Sequence, residues 1–356
     1  MNPNTTKRQR FSILLLLLCM CFPAYVQAQD ESDLVEFLKA GEDDASKLIG
    51  AYLNPMIEGM SYGFNGGWFH TAKAHKTLGF DIGVSVNAVF IPSSKNYFDP
   101  ASLGLTTITG FTSEAPNGLA PTIVGPDNET NYTAALDLDG DGTPDQTFDI
   151  NGPEGLDFKD KFKVSGVAVP TATLGIGIYK NTDLKVRWMP EVESGNTKVK
   201  LFGLGVMHDI KQHIPGLKLL PFDLSMLVAY TNIKGRTGVS GVFEPAAGDQ
   251  RPQVLDYNMN AWLIQALISK KLSVITFYGG VGYNTVKTDA DLKGSYLIYE
   301  GNQDVVFTDP VTLGFKNKSF RATAGMRLKL AVFYLTADYT IQEYSTLSMG
   351  LGFSVR

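Results

Sequence analysis

Apolar and polar residues alternate along the C-terminal stretch, residues 346–356. Successive side chains of a β-strand point to opposite faces, so this alternation predicts a strand with one apolar and one polar face. The apolar positions are Leu347, Met349, Leu351, Phe353 and Val355, and small or polar residues fill the positions between them.

The same alternation recurs upstream, most clearly in residues 78–91, 320–330 and 333–341. In the first of these stretches Asp81 and Asn87 share one face, and neither could face lipid cheaply. That face should therefore line the interior of a barrel. Alternation alone also fits a soluble barrel, but an export signal and aromatic residues near the strand ends favour a membrane barrel.

Counting such stretches predicts an all-β fold, a closed antiparallel transmembrane β-barrel of about 12 strands, with about 10 to 14 possible. Long polar connections at 113–165, 235–256 and 288–317 alternate with compact ones, as in outer-membrane barrels. Residues 346–356 should close the ring by pairing with residues 60–71. Asn258 and Asn260 interrupt the alternation of their strand and predict a bulge or a shifted strand boundary there. The predicted strands are 60–71, 78–91, 101–112, 166–179, 183–192, 199–209, 221–234, 257–270, 272–287, 318–330, 332–344 and 346–356.

The N-terminal part divides into an export signal and a short helical segment. The basic residues Lys7, Arg8 and Arg10, an apolar run and small residues before Gln29 predict a signal peptide over residues 1–28. In residues 29–58 the apolar residues have helical spacing, and Pro55 should end the helix. The barrel should occupy residues 59–356. The helical segment could sit at the periplasmic mouth or fold into the lumen as a plug.

Composition narrows the class of protein. Both cysteines, Cys19 and Cys21, lie in the predicted signal peptide, so the exported chain should contain no disulfide or cysteine metal site. Losing the three basic residues of the signal takes the formal net charge from −5 to −8, which argues against a nucleic-acid partner.

These features resemble the outer-membrane β-barrel proteins of Gram-negative bacteria. In such proteins the alternating last strand usually ends in an aromatic residue and is recognised by the barrel assembly machinery; here Phe353 lies three positions before Arg356. The N-terminal helical segment with Asn54-Pro55-Met56 is also similar to the long-chain fatty-acid transporter family, whose plugs carry Asn-Pro-Ala. That resemblance implies uptake of hydrophobic molecules through a plugged barrel in the outer-membrane lipid.

One motif has the composition of a calcium loop. Acidic residues at alternate positions, separated by glycines that permit a tight turn, place several hard oxygens around one centre. The usual twelfth-position glutamate is replaced by Phe148. A solvated acidic turn is the alternative. The candidate ligands are Asp137, Asp139, Asp141 and Asp145.

A second set of charged residues falls on predicted lumen faces. A basic surplus there could favour anions in a pore. Alternatively, these charges could pair with one another and hold the wall or a plug in place. The set is Asp81, Lys185, Arg187, Asp223, Arg321, Arg327, Lys329 and Asp338.

From the sequence we expect a transport channel or pore for a small-molecule solute that the sequence does not identify. The alternative is a closed-lumen barrel that acts as a surface binding or structural protein through its extracellular loops. We expect no enzyme, because no grouping of nucleophile, base and acid stands out along the wall.

The acidic motif yields a direct test. If it binds calcium, millimolar calcium should raise the protease resistance of residues 113–165 in intact cells, because a filled site orders the loop. Proteolysis with and without a chelator measures this. Identical cleavage in both conditions would exclude the calcium site.

Overall fold

The computed structural model describes residues 32–136, 143–159, 166–239, 244–300 and 303–355. The predicted signal peptide, Asp137, Asp139, Asp141 and the C-terminal Arg356 lie outside the described residues. Among the described residues, no helix is both long and apolar enough to cross a bilayer.

Two helices precede the strands. Helix α1 (Ser32–Glu36) runs into a 3-10 turn at Phe37–Ala40, and α2 (Gly41–Phe64) follows directly. Gly41, the first residue of α2, has φ +81°, a conformation that glycine adopts without strain. Residues 65–78, here called the lumen segment, connect α2 to the first strand.

Seventeen strands are described. They are β1 (Phe80–Phe90), β2 (Tyr97–Phe98), β3 (Ile108–Ser113), β4 (Ala120–Pro121), β5 (Thr130–Leu136), β6 (Gln146–Gly152), β7 (Gly166–Gly177), β8 (Thr182–Ser194), β9 (Thr197–Asp209), β10 (Asp223–Gly238), β11 (Val254–Leu272), β12 (Ile275–Lys293), β13 (Ser295–Glu300), β14 (Gln303–Thr308), β15 (Val311–Leu330), β16 (Phe333–Ile341) and β17 (Thr346–Val355).

In the described part of the chain, ten of these strands form a closed antiparallel barrel in the order β1-β17-β16-β15-β12-β11-β10-β9-β8-β7, with β7 pairing back to β1. The barrel class is confirmed, and ten strands fall at the lower end of the predicted range. Exposed apolar side chains, such as Met349 and Leu351 of β17, cover the outer face, while Thr346 and Ser348 of β17 are buried inside. Such an apolar outer face is the one a barrel presents to lipid.

Two predicted strands are wrong. Residues 60–64 end helix α2 and 65–71 belong to the lumen segment, so β17 closes the ring against β1, from Phe80↔Val355 to Val89↔Thr346. The barrel therefore begins at Phe80 rather than at residue 59. Within residues 101–112, the first residues continue a 3-10 turn and the last belong to β3, which lies outside the barrel wall.

The strand predicted at 257–270 is regular and longer than predicted, since β11 runs from Val254 to Leu272. Strand β11 pairs with β10 and β12 without a register shift, so no bulge is present. Asn260 lies two residues before Trp262 on the same face of β11, and both side chains point outward. The asparagines bond to their neighbours instead of to lipid: Asn232 Nδ2 donates to Asn258 Oδ1 at 2.8 Å, and the Tyr230 hydroxyl to Asn260. Strand β11 therefore extends beyond the apolar side chains of the barrel's outer face.

The loop end of the barrel carries an apolar cap. It consists of α1, the first half of α2, the three-stranded sheet β3-β5-β6, the hairpin β13-β14 and the protruding ends of β11, β12 and β15. Phe37 and Leu38 are buried in its core, and the Phe37 ring packs edge-on against Tyr132 with centroids 5.5 Å apart. The N-terminal helices thus lie at the end with long loops, not at the periplasmic mouth.

This topology predicts that α2 begins on the outer surface. Outer-membrane barrels place long loops outside and short turns in the periplasm. A cysteine at exposed Asp43 should react with a membrane-impermeant maleimide on intact cells, whereas one at exposed Lys180, in a short turn, should react only after permeabilisation. Reaction of Lys180→Cys but not Asp43→Cys on intact cells would reverse the orientation.

Candidate functional site

Helix α2 descends from the cap into the barrel. Gly59 and Gly63, four residues apart, lie on the face that meets β7 and β1, and an added Cβ at Gly63 would overlap the side chain of Val169. Small residues at this spacing let a helix approach a wall closely. The spacing of this glycine pair indicated a helix, but the alternation of apolar residues in 60–71 led to the prediction of a strand.

Pro55 does not end α2, contrary to the sequence prediction. Proline removes one helical hydrogen bond and can be tolerated where other groups supply partners. The carbonyl that Pro55 deprives of its helical donor is that of Ala51, four residues earlier. The Tyr52 carbonyl beside it accepts a hydrogen bond from the backbone N–H of Ile123 at 3.1 Å, so a loop of the cap packs against this turn while α2 continues to Phe64.

The upper end of α2 is held by a buried carboxylate. Asp44, 1% exposed, accepts hydrogen bonds from the backbone N–H groups of Thr106, Thr107 and Ile108, at 2.7 to 3.1 Å, and is also contacted by the Thr106 hydroxyl. Lys47 lies 3.8 Å from Asp44, and its hydrogen bond to Asp43 raises its pKa. The Asp44 contacts join α2 to the loop between β1 and β7.

A second buried carboxylate lies further down α2. Glu58 accepts a hydrogen bond from the Tyr344 hydroxyl at 2.7 Å, and the Lys95 ammonium is 3.7 Å away. Tyr62 donates to Glu343 at 2.9 Å. Helix α2 is thereby tied to the short loop between β16 and β17, near the outer rim of the barrel.

Two arginines on opposite walls hold the lower end of α2. Arg187 of β8 donates to the carbonyls of Phe64 and Gly66, and Arg321 of β15 donates to the Asn65 carbonyl at 2.8 Å. The last carbonyls of a helix have no partner within the helix and carry partial negative charge. These two side chains, here called the arginine pair, therefore satisfy and neutralise a helix end inside the barrel.

The lumen segment continues with an aromatic residue. The Arg187 guanidinium lies 3.9 Å from the ring centroid of Trp68, a cation–π contact. Gly203 and Gly205 of β9 leave room for the indole, which approaches within 3.2 and 3.0 Å of where their Cβ atoms would lie. Trp68 is 1% exposed, so it packs inside the barrel rather than against lipid.

Below Trp68 the segment makes polar contacts. The Ser269 hydroxyl accepts from the Ala72 N–H at 2.9 Å and lies 3.2 Å from the Thr71 hydroxyl. His75 contacts Asp183 through both its backbone N–H and Nδ1, at 2.8 and 2.9 Å.

A cluster of ionisable groups surrounds Asp81 at this level. His70 Nε2 lies 3.1 Å, His75 Nε2 3.5 Å and the Lys185 ammonium 4.0 Å from the Asp81 carboxylate. A second pair joins the strands on either side of β15, where the Tyr278 hydroxyl of β12 donates to Asp338 of β16 at 2.9 Å. Charges of both signs line the lumen around the segment.

Most of the predicted lumen charges face inward. Six are buried in the barrel, which is the face that the alternation predicted, whereas Asp223 and Lys329 are partly exposed near the periplasmic ends of their strands. The buried six are Asp81, Lys185, Arg187, Arg321, Arg327 and Asp338.

Three functional side chains were missed. Asp44, Glu58 and Asp183 lie in helical or turn-proximal sequence, where single acidic residues usually face solvent. Of the predicted calcium ligands only Asp145 is described, so the calcium site stays a prediction. No group of three or more metal-ligating side chains occurs among the described residues.

The lumen around the segment contains little free space. A cavity beside it, lined by His70, Asp81, Lys185, Tyr334 and Ser348 among others, has a water-accessible volume of about 30 Å³, room for roughly two water molecules. Several buried polar atoms here, including the Trp68 indole N–H, have no protein partner in the described chain. Within the described chain this cavity is too small for a solute much larger than water.

Fold and lumen together define the class: a transmembrane β-barrel of the outer-membrane type whose lumen holds its own N-terminal segment. The chain belongs to a family of unknown function (DUF6588), whose model matches residues 6–355. A search of curated proteins finds no match.

Several solved barrels are similar in part. The translocator domain of the autotransporter NalP from Neisseria meningitidis has 13% identity and a TM-score of 0.30, with 86% of this chain and 96% of that chain covered. Ail, the attachment invasion locus protein of Yersinia pestis, has 10% identity and a TM-score of 0.24, covering 79% and 99%. The outer-membrane protease OmpT from Escherichia coli has 9% identity and a TM-score of 0.28, covering 81% and 99%.

The Asp44 contacts generate a stability prediction. Asp44→Ala leaves three backbone donors without their acceptor and should lower the free energy of unfolding by about 2–3 kcal/mol. Asp43→Ala is the matched control, since its exposed ion pair with Lys47 should contribute little to stability. Urea unfolding in lipid vesicles measures both. Equal effects of the two substitutions would contradict the assigned role of Asp44.

Proposed function

We propose that the protein is a gated outer-membrane conduit for small molecules, and that the lumen segment is its gate. One observation carries the proposal: in the described chain a single N-terminal segment, covalently connected to the wall only at Phe80, packs inside the lumen among side chains of the wall. A separate segment can move while the barrel stays intact.

The two halves of the N-terminal segment differ in how much apolar surface they bury. The upper half of α2 is buried in the large apolar core of the cap, and moving it would expose residues such as Leu48 to water. The lumen segment packs Trp68 and Phe69 into a smaller apolar cluster of the wall. Its other contacts are hydrogen bonds, as between Thr71 and Ser269. Water can replace such contacts at a net cost of only about 1 kcal/mol each. The expected moving part is therefore residues 65–78.

The polar character of the lumen supports the same assignment. Buried polar atoms around residues 65–70, among them Nδ2 and Oδ1 of the Asn65 side chain and Nδ1 of His70, have no hydrogen-bond partner in the described chain. Buried polar groups without protein partners are normally hydrated. A lumen that accommodates water beside the segment favours its displacement over that of the apolar cap.

A second candidate function has its own support. The cap core and the Asp44 contacts fix the N-terminal helices to the loops, and the remaining cavity holds only about two water molecules. A permanently closed barrel of this kind would act as a surface binding or structural protein through the cap.

A reversible crosslink distinguishes the two candidates. In Thr71→Cys/Ser269→Cys the replaced hydroxyls are 3.2 Å apart, so a disulfide should tie the lumen segment to β11. In planar bilayers the reduced protein should show discrete conductance steps that oxidation abolishes and reductant restores, because only a free segment can leave the lumen.

The matched control joins two wall strands without touching the segment. Thr197→Cys/Thr237→Cys replaces hydroxyls 3.1 Å apart on β9 and β10, and its oxidation should leave conductance unchanged. Absence of conductance in both the unmodified and the reduced proteins would refute the gate and favour the permanently closed barrel.

A further inference from the structure

Two histidines meet at the turn that follows β9. His208 is the last residue but one of β9, and His213 ends the 3-10 turn Lys211–His213. Their Nε2 atoms are 2.9 Å apart, and their ring planes differ by 26°. The compact connection from β9 to β10 lies at the short-turn end of the barrel, which faces the periplasm in outer-membrane barrels. The two side chains are here called the histidine pair.

The histidine pair lies on the outer side of the barrel rim. His208 continues the outward-facing row of Leu204 and Val206, and its partner across the sheet is exposed Met226 of β10. His213 is exposed and His208 is partly exposed. Dissolved ions can therefore reach the pair without entering the lumen.

The backbone of the turn is fixed independently of the two rings. The side-chain amide of Gln212 donates to the carbonyls of Asp209 and Lys180 at 2.8 and 2.9 Å. The Lys211 ammonium donates to two carbonyls of the loop before β10. These contacts hold His213 beside the end of β9 even when the rings do not touch, and such preorganisation lowers the cost of binding a ligand there.

The Thr182 hydroxyl fixes the ring of His208. Its Oγ1 lies 2.8 Å from Nδ1 of His208, and it can donate its own proton to the Lys180 carbonyl 3.5 Å away. The hydroxyl can therefore accept the Nδ1–H of His208, which leaves a lone pair on Nε2. Histidines that bind metals almost always have such a partner on the other ring nitrogen.

The separation of the two Nε2 atoms suits a shared metal as well as a shared proton. With one proton between them, the contact is a hydrogen bond. Two imidazole nitrogens that bind one metal at about 2.0 Å lie roughly 2.8–3.4 Å apart, for bond angles between a square and a tetrahedron. In the described chain the His213 ring has no hydrogen bond besides the one to His208, so it can move its proton to Nδ1 and turn its lone pair to the metal.

We propose that the histidine pair is a binding site for Cu²⁺, with Thr182 as the residue that positions His208. Imidazole nitrogen suits copper, and the affinity of such sites for first-row divalent ions reaches its maximum at Cu²⁺. Two protein ligands leave the other coordination positions to water, which the exposure of His213 allows. The site goes beyond the proposed gate and does not depend on it, since no hydrogen bond joins the pair to the lumen segment in the described chain.

Calorimetric titration tests the site. The metal-free protein, purified without a polyhistidine tag in a non-ionic detergent, should bind one Cu²⁺ and should bind Zn²⁺ more weakly. His213→Gln should weaken Cu²⁺ binding by about 100-fold, because the loss of a ligand should cost at least as much as the loss of an outer-shell partner. Electron paramagnetic resonance of the bound Cu²⁺ should show two coordinated imidazoles in the native protein.

The control is the double variant His208→Gln/His213→Gln, which retains the other two histidines, His70 and His75. Unchanged Cu²⁺ affinity in this variant would overturn the proposal, and so would a native protein that binds no Cu²⁺. Tighter binding of Zn²⁺ than of Cu²⁺ would overturn the choice of metal. Faster migration of the unheated protein on a detergent gel shows that each variant is folded.

The role of Thr182 has its own pair of variants. Thr182→Val removes the hydroxyl at nearly unchanged volume and should weaken Cu²⁺ binding by about tenfold, as expected for an outer-shell partner. Thr182→Ser keeps the hydroxyl and should retain the native affinity. Equal affinities of the two variants would contradict the positioning of His208 by Thr182.

Discussion

The arrangement depends on how a helix can end inside a membrane barrel. The carbonyls at the C-terminus of α2 lack helical partners and lie far from bulk water. Arg187 and Arg321 reach them from opposite walls and donate to the carbonyls of Phe64 and Asn65. Removing either guanidinium would leave buried carbonyl groups without a donor, which normally costs about 1–3 kcal/mol for each group. Helix position and lumen charge are therefore set by the same contacts.

The arginine pair separates two parts of the N-terminal segment that bury different amounts of apolar surface. Above it, the N-terminal helices share a large apolar core with the cap and are held by the carboxylate contacts of Asp44. Below it, the lumen segment packs Trp68 and Phe69 into a smaller apolar cluster of the wall. Its other groups make hydrogen bonds or have no partner in the described chain.

The sequence predicted the wall better than its contents. Alternation placed Leu347 to Val355 outside and Asp81, Arg187 and Arg321 inside, because a strand exposes its faces residue by residue. It failed over 60–71, where Tyr62, Phe64 and Trp68 alternate as in a strand but fill the lumen, and the spacing of Gly59 and Gly63 was the better guide. The partners of Asp44 are some 60 residues away, and no local pattern encodes such a contact. Local periodicity also could not reveal that β11 continues beyond the lipid.

Hydrogen exchange of residues 50–78 in nanodiscs, for the native protein and for Arg187→Lys/Arg321→Lys, tests the central claim most directly. Lysine keeps the charge but cannot reproduce the guanidinium contacts. The account predicts that exchange accelerates in residues 62–78 of the variant while the strands and the cap-buried turns of α2 keep their protection. Unchanged exchange in residues 62–78, or equal acceleration throughout the barrel, would contradict it.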